Sequence, residues 1–277
     1  MQTNNTPVVQ KPKIEVLKDI MKAPSIQEQF NNVLKENSGV FVASIIDLYN
    51  SDKNLQNCEP KQVVMEALKA AVLKLPVNKS LGFAYIVPYN ESYRDGEGNW
   101  QKKQVPQMQI GYKGLIQLAM RTGQYRIINA DLLYEGELKT VNKLTGEIDM
   151  SGERTSDKVV GYFAHIEMLN GFTKTLYSTV DKISAHAKKY SKSFSSKNSP
   201  WTTEFDAMAI KTVLRNLLSH YGFLSVEMIG AMAKDIEGDT VGDEVDQTIQ
   251  EKANRVEMKF DDAEVVEETE TKEQNPI

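Results

Sequence analysis

The dipeptide Asn170-Gly171 narrows the fold more than any other feature of this chain. It separates two runs, 159–169 and 172–179, that are rich in β-branched, aromatic and aliphatic side chains. Asn-Gly readily adopts the positive φ angles of a tight turn whose twist matches the strands it joins, so the spacing predicts an antiparallel hairpin. Residues 81–89 and 105–110 read as another strand pair, joined by a polar loop containing Asp95-Gly96-Glu97-Gly98, and 125–134 reads as a further strand. Helical patterns flank these strands. Apolar residues recur at Ile14, Leu17, Ile20 and Met21 within 14–30, a stretch interrupted by Pro24. In 60–75, Pro60 suits a first helical turn and Pro76 stops the helix. Helical periodicity dominates from Asp181 to about Gly222. The expected class is α+β, a hairpin-built antiparallel sheet with helices packed on it.

Charge divides the chain. Residues 227–277 hold 16 acidic and 5 basic side chains, a net −11, which leaves 1–226 at +6 within a whole of −5. A basic body with an acidic tail suits a polyanionic partner better than the overall pI of 5.4 suggests. Three segments are expected: a disordered 1–13, a domain over 14–226, and an acidic tail or small tethered module over 227–277. The single cysteine, Cys58, excludes an internal disulfide framework and a cysteine-based zinc site. His165, His186 and His220 are too scattered to suggest a metal cluster. No run approaches the roughly 20 apolar residues of a membrane span, and the N-terminus lacks a signal-peptide core, so a cytosolic protein is expected.

Within 101–130 there are five basic residues and no acidic one: Lys102, Lys103, Lys113, Arg121 and Arg126. Trp100, Tyr112 and Tyr125 lie among or beside them. Cations with rings nearby are what a phosphate backbone and unstacked bases require. On a helix over 112–122, closed by Gly123, the residues Leu115, Ile116, Leu118, Ala119 and Met120 form one apolar arc, leaving Lys113, Gln117 and Arg121 on the opposite face. Lys182, His186 and Lys189 repeat the pattern at i, i+4 and i+7, after a capping Thr179 or Asp181. Lys188, Lys192 and Lys197 add charge around that row, and Phe194 and Trp201 add rings. A third helix is expected to open at Pro200, capped by Ser199, and to run to His220 or Tyr221. It buries Ile210, Val213, Leu214, Leu217 and Leu218 and carries Lys211 and Arg215 on its other face. Neither cation has an acidic residue four positions outward, since those places hold Ala207 and Ser219. Like charges at i, i+4 repel slightly unless an external anion neutralises them. Three such stripes point to a groove for a polyanion, with Trp100, Phe194 and Trp201 as candidates for base stacking, Trp201 reading equally as packing at the helix entry.

No phosphate-binding G-x-x-x-x-G-K-[ST] loop is present, which argues against an ATP-driven recombinase or helicase. The one catalytic candidate is Asp131 followed by Glu137-Leu138-Lys139, similar in spacing to the D…E-x-K set of Mg²⁺-dependent nucleases, although Ala130 stands where a proline is usual.

Gln109-Ile110-Gly111-Tyr112-Lys113-Gly114-Leu115-Ile116-Gln117-Leu118-Ala119 resembles the signature of the RecT/Redβ single-strand annealing proteins. So does Ser199-Pro200-Trp201 leading into Met208-Ala209-Ile210-Lys211-Thr212-Val213-Leu214-Arg215. The similarity spans roughly 14–226, leaves the acidic tail outside, and is closer to the RecT branch. It implies an ATP-independent recombinase, phage- or prophage-encoded and working in the bacterial cytoplasm. Such a protein coats single-stranded DNA exposed by a partner exonuclease and anneals it to a complement, assembling as rings and helical filaments. It also implies a core akin to Rad-type annealing proteins, DNA contacts at Tyr112, Lys113, Lys211 and Arg215, and no required cofactor, with Mg²⁺ as a modulator of DNA binding. The family's C-terminal part is associated with the exonuclease or with host single-strand-binding protein. Beside annealing, two other readings stand: a Mg²⁺ nuclease built on Asp131, Glu137 and Lys139, and a passive single-strand-binding protein. The acidic tail reads as a nucleic-acid mimic competing for the groove, as a docking segment around 256–260, or simply as a solubilising tail.

Overall fold

The fold is that of a computed structural model, which describes residues 11–191, 193–197, 199–225, 228–230 and 232. Four helices open the chain: α1 (Lys13–Lys22), α2 (Pro24–Leu34), α3 (Ser38–Ser51) and α4 (Pro60–Val72). Pro24 and Pro60 each occupy a first turn, where a missing N–H costs nothing. Leu17, Met21, Phe30, Phe41, Ile45 and Tyr49 are buried together with Val63, Val64 and Ala67 of α4. Within 14–30, Leu17, Met21 and Phe30 are therefore core.

The hairpin β1 (Ala84–Arg94) and β2 (Trp100–Ile110) follows, paired in unbroken register from Ala84↔Ile110 to Arg94↔Trp100. It is longer than the apolar pattern predicts, because its outer half is mostly polar and is held by the ladder with cross-strand side-chain pairs such as Lys103–Glu91. Its base is core, with Ala84, Ile86, Met108 and Ile110 buried, and Glu66 of α4 accepts the Met108 amide at 2.8 Å. After α5 (Tyr112–Arg121), a second sheet forms in the order β3 (Tyr125–Tyr134), β6 (Val159–Met168), β7 (Thr173–Thr179). A short ribbon, β4 (Thr140–Val141) with β5 (Ile148–Asp149), lies between β3 and β6 in sequence. Gly171 has φ +85°, as the hairpin turn requires. All pairings are antiparallel, so the α+β architecture stands, with the strands divided among separate sheets rather than one.

Helices α6 (Val180–Tyr190), α7 (Pro200–Thr203) and α8 (Phe205–Tyr221) complete the body. Thr179 and Ser199 both cap as expected, accepting the Lys182 and Trp201 amides at 3.3 Å. The long helix predicted from Pro200 is interrupted at Glu204, where φ −140° and ψ 49° leave the helical region. That break lets the Trp201 ring lie 5.8 Å from Phe205 and 6.3 Å from Phe194. Helix α8 crosses the three-stranded sheet, against the buried Tyr162, Ala164 and Ile166 on alternate positions of β6.

The predicted boundary at Val226 falls too early. Met228 and Met232 are buried in the same core, so the folded body continues past it. Ile229 and Gly230 are also described; residues 227, 231 and 233–277 of the expected tail, and those at 1–10, lie outside the described residues.

Two expected outcomes test this core. The Tyr162 hydroxyl donates to Asp206 Oδ1 at 2.5 Å, tying β6 to the first turn of α8. Tyr162→Phe should lower unfolding free energy by about 1.5 kcal/mol in a urea titration at neutral pH, the low end for a bond to a charged acceptor because Asp206 stays solvated. Burial and then Asp206 raise the Tyr162 phenol above its usual 10, so this bond stabilises below pH 10 and its contribution is lost as pH rises beyond it. Burial pushes the Cys58 thiol up to about 11, so native protein at pH 8 should react with a thiol reagent only after denaturant is added.

Candidate nucleic-acid interface

The start of α5 is fixed by a close backbone approach. The Gly111 amide donates to the Phe83 carbonyl at 2.9 Å. A Cβ at Gly111 would lie 2.2 Å from the Gly82 carbonyl oxygen, and one at Gly114 2.2 Å from that of Phe83. Only glycine fits at either place, which gives the G-Y-K-G sequence a packing reason. Leu115, Leu118 and Ala119 then face the core, while Met120, expected in the buried arc, is exposed.

Lys113 is exposed, its stem running over Gly82, and Gln117 is half-buried beside it. Arg121 is exposed but engaged: it donates to the Leu73 carbonyl at 2.5 Å and the Lys74 carbonyl at 3.0 Å. These carbonyls follow the last turn of α4, where unpaired acceptors carry partial negative charge. Tyr112 is half-buried beside Tyr85 of β1. Burial raises the Tyr85 phenol, and Glu204 and Tyr112 add to the effect, so these three side chains share one neighbourhood. Glu204 escaped the sequence reading because nothing local marks the helix break that places it there.

The largest correction concerns Lys211 and Arg215. Their expected exposed face is closed: Lys211 is 7% and Arg215 8% accessible. Lys211 Nζ donates to Gln109 Oε1 at 3.2 Å, and Arg215 Nη2 to the Met232 carbonyl at 3.0 Å. Helix α8 is central rather than superficial, packed by the sheet, by α5 and by Met228 and Met232. The aliphatic stems of both cations suit that burial, and their heads find polar acceptors. Gln109, itself 6% accessible, joins the two signature segments across 102 residues of sequence.

The aromatic candidates separate. Trp201 is 6% accessible and belongs to the core, and the half-buried Phe194 packs on it, so neither presents a free ring. Trp100 is 66% exposed on the outer half of the hairpin, with the Arg94 guanidinium 4.9 Å from its ring centre. Tyr93 is exposed on the other face of the ribbon, 5.3 Å from Lys103 Nζ, and was not singled out because its strand was read as ending before it.

The remaining cations are spread over several elements. Lys102 and Lys103 are exposed on β2 and line an open cleft of about 540 Å³ with Asn57, Glu59, Gln62 and Gln104. They stand about 25 Å along the strand from the start of α5, at roughly 3.3 Å per residue. Lys103 pairs with Glu91 at 2.9 Å, and Arg126 with Glu167 at 2.6 Å, so Arg126 is largely neutralised by its neighbouring strand. On α6, Lys182, Lys188 and Lys189 are exposed. His186 is half-buried, its ring 4.7 Å from that of Tyr190, and Lys189 Nζ donates to the Tyr190 hydroxyl at 2.6 Å. Lys192 lies outside the described residues. Lys102, Lys113, Lys182, Lys188 and Lys197 form no ion pair among the described residues.

The two carboxylates of the nuclease candidate each accept a nearby main-chain amide. Asp131 Oδ1 accepts its neighbour's amide at Leu132, at 2.8 Å, and Glu137 Oε2 accepts the Tyr134 amide at 2.7 Å. Lys139 is exposed, and its amide donates to the Asp149 carbonyl. Among the described residues no three His, Cys, Asp or Glu side chains are grouped to hold a metal ion. No helix among them is long and apolar enough to cross a membrane.

A sequence model of the RecT family matches residues 39–274. The chain is 44% identical over 245 residues to Uncharacterized protein YqaK of Bacillus subtilis (strain 168), covering 88% of this chain and 78% of that protein. It is 29% identical over 198 residues to Protein RecT of Escherichia coli (strain K12), covering 70% of each. The match runs well beyond Val226, so the acidic tail lies inside the similar region and not outside it. Helices α1 and α2 precede the matched residues although they are core.

In an ordinary helix Gly→Ala gains about 1 kcal/mol. Here Gly114→Ala should instead lose roughly 1–3 kcal/mol in denaturant unfolding, because the added carbon overlaps the Phe83 carbonyl.

Proposed function

This chain belongs to the RecT family of single-strand annealing and recombination proteins, and on that premise we propose that it binds single-stranded DNA and anneals it to a complementary strand without nucleotide hydrolysis. One observation carries the reading: Gln109 and Lys211 join the two signature segments, and on α5, which packs against α8, Lys113 and Gln117 present a cation and an amide with no carboxylate paired to them among the described residues. Lysines grip phosphates without regard to sequence and leave base edges open to a second strand. Base pairing then supplies the specificity, so no phosphate-binding loop is needed.

Lys113 is the centre of the contact, supported by Lys102 on the hairpin and by Lys182 and Lys188 on α6. Exposed Trp100 and Tyr93 offer rings for stacking, a sequence-tolerant interaction worth about 1–3 kcal/mol per base. Tyr112 acts from its half-buried place beside Lys113. The product duplex stays bound, copies of the chain assemble along the strand, and no cofactor is required, with Mg²⁺ a modulator. The C-terminal region serves a partner exonuclease or host single-strand-binding protein in the bacterial cytoplasm.

The test mixes full-length protein, without nucleotide, with two complementary labelled oligonucleotides at matched coverage. Annealing is expected, with intact strands emerging as duplex. Slower pairing than in buffer would instead identify a passive binding protein, and shortened strands with Mg²⁺ a nuclease. Lys113→Ala should weaken single-strand binding and reduce its logarithmic salt slope by about 0.7, the share of one phosphate contact. An unchanged slope removes Lys113 from the interface.

A further inference from the structure

Three polar side chains, each more than nine-tenths buried, meet along one side of α8: Gln109, Lys211 and Arg215. Gln109 spends its oxygen on Lys211, and its amide nitrogen is buried with no hydrogen-bond partner among the described residues. A buried donor left unsatisfied is destabilising unless an acceptor arrives. Arg215 donates to a main-chain carbonyl, that of Met232, although guanidinium groups bond anionic oxygens about twice as strongly as neutral ones. The cluster is thus rich in donors, and part of its acceptor set is neutral backbone.

That carbonyl belongs to a short piece of chain in which Met228, Ile229, Gly230 and Met232 are helical. Met228 and Met232 are buried in the core, while Ile229 and Gly230 face solvent. Two unbranched, adaptable side chains are the main apolar hold of this piece on α8. It also begins the region whose formal charge is −11.

We propose that the piece carrying Met228 and Met232 is a displaceable cover over the Gln109–Lys211–Arg215 cluster, and that phosphates of single-stranded DNA take the place of the Met232 carbonyl. The inference rests on the single-strand binding proposed above. Binding would then couple two events: exchange of a carbonyl for a phosphate oxygen at Arg215, and withdrawal of Met228 and Met232 from the core. With the cover seated, Lys113 and the other exposed lysines make the first contacts. With it displaced, the same strand gains buried donors and excludes water from them.

The experiment measures anisotropy of a fluorescein-labelled oligo-dT strand against salt for four full-length proteins: wild type, Met228→Ser with Met232→Ser, Arg215→Ala, and the triple variant. The loosened cover should raise affinity at least five-fold and steepen the salt slope, and Arg215→Ala should cancel that gain. An unchanged affinity in the double variant with wild-type circular dichroism overturns the proposal, as does a gain that survives Arg215→Ala. If no protein binds the strand, the single-strand reading itself fails and the cover with it, a result distinct from tight wild-type binding that the cover variant leaves unmoved. Should the variants not fold, hydrogen exchange on wild type decides: amides of 228–230 and 232 should exchange faster with oligo-dT bound, and equal or slower exchange overturns the proposal.

Discussion

The enclosure of α8 governs the rest of this molecule. One helix supplies Ala209, Val213, Leu214, Leu217 and Leu218 to the core and lies against the three-stranded sheet, α5 and the Met228–Met232 piece. A helix so surrounded has little surface left for its polar side chains. Lys211 and Arg215 are consequently inside, and their charged heads must be met by acceptors from other parts of the chain. Gln109 from β2 and the Met232 carbonyl answer that requirement. The link between the two signature segments is therefore first a solution to a burial problem, and its chemistry follows from where the helix sits.

The same economy governs the surface. Arg121 closes the end of α4, Arg126 answers Glu167, and Lys103 answers Glu91, so three of the five cations in 101–130 have partners within the fold. Lys102, Lys113 and Arg121 form no ion pair among the described residues, and of these Arg121 is held by main-chain carbonyls. A run without acidic residues is not a run without partners, because acidic residues and carbonyls distant in sequence supply them.

Features set by neighbours along the chain were legible. Asn170-Gly171 makes its turn, Thr179 and Ser199 cap, Pro60 opens α4, and Gly123 at φ +67° closes α5. The α+β class and the strand at 125–134 follow from the same kind of signal. Helix α3 was passed over because apolar residues lie on most of its sides, from buried Ile45 to Val40 at 76% exposure, and leave no amphipathic period to read. The outer half of the β1–β2 hairpin was missed for the opposite reason: its residues are mostly polar, and the cross-strand ladder and side-chain pairs that hold them join positions distant in sequence. In the candidate site, Lys113 was placed correctly on its open face. Lys211 and Arg215 were not, since periodicity assigns a face to a helix but cannot say how many faces are covered.

The Gln109–Lys211 bond spans 102 residues, and the Tyr125 hydroxyl reaches the Phe223 carbonyl across 98. Contacts of such sequence separation close large loops and are made late in folding. During synthesis, the hairpins and α5 leave the ribosome well before the helix that seats them, with Leu115, Tyr162 and Ile166 awaiting their partner. The order of elements thus imposes a timetable: the chain's long central stretch must be protected from aggregation until α8 emerges and the core can close in one step.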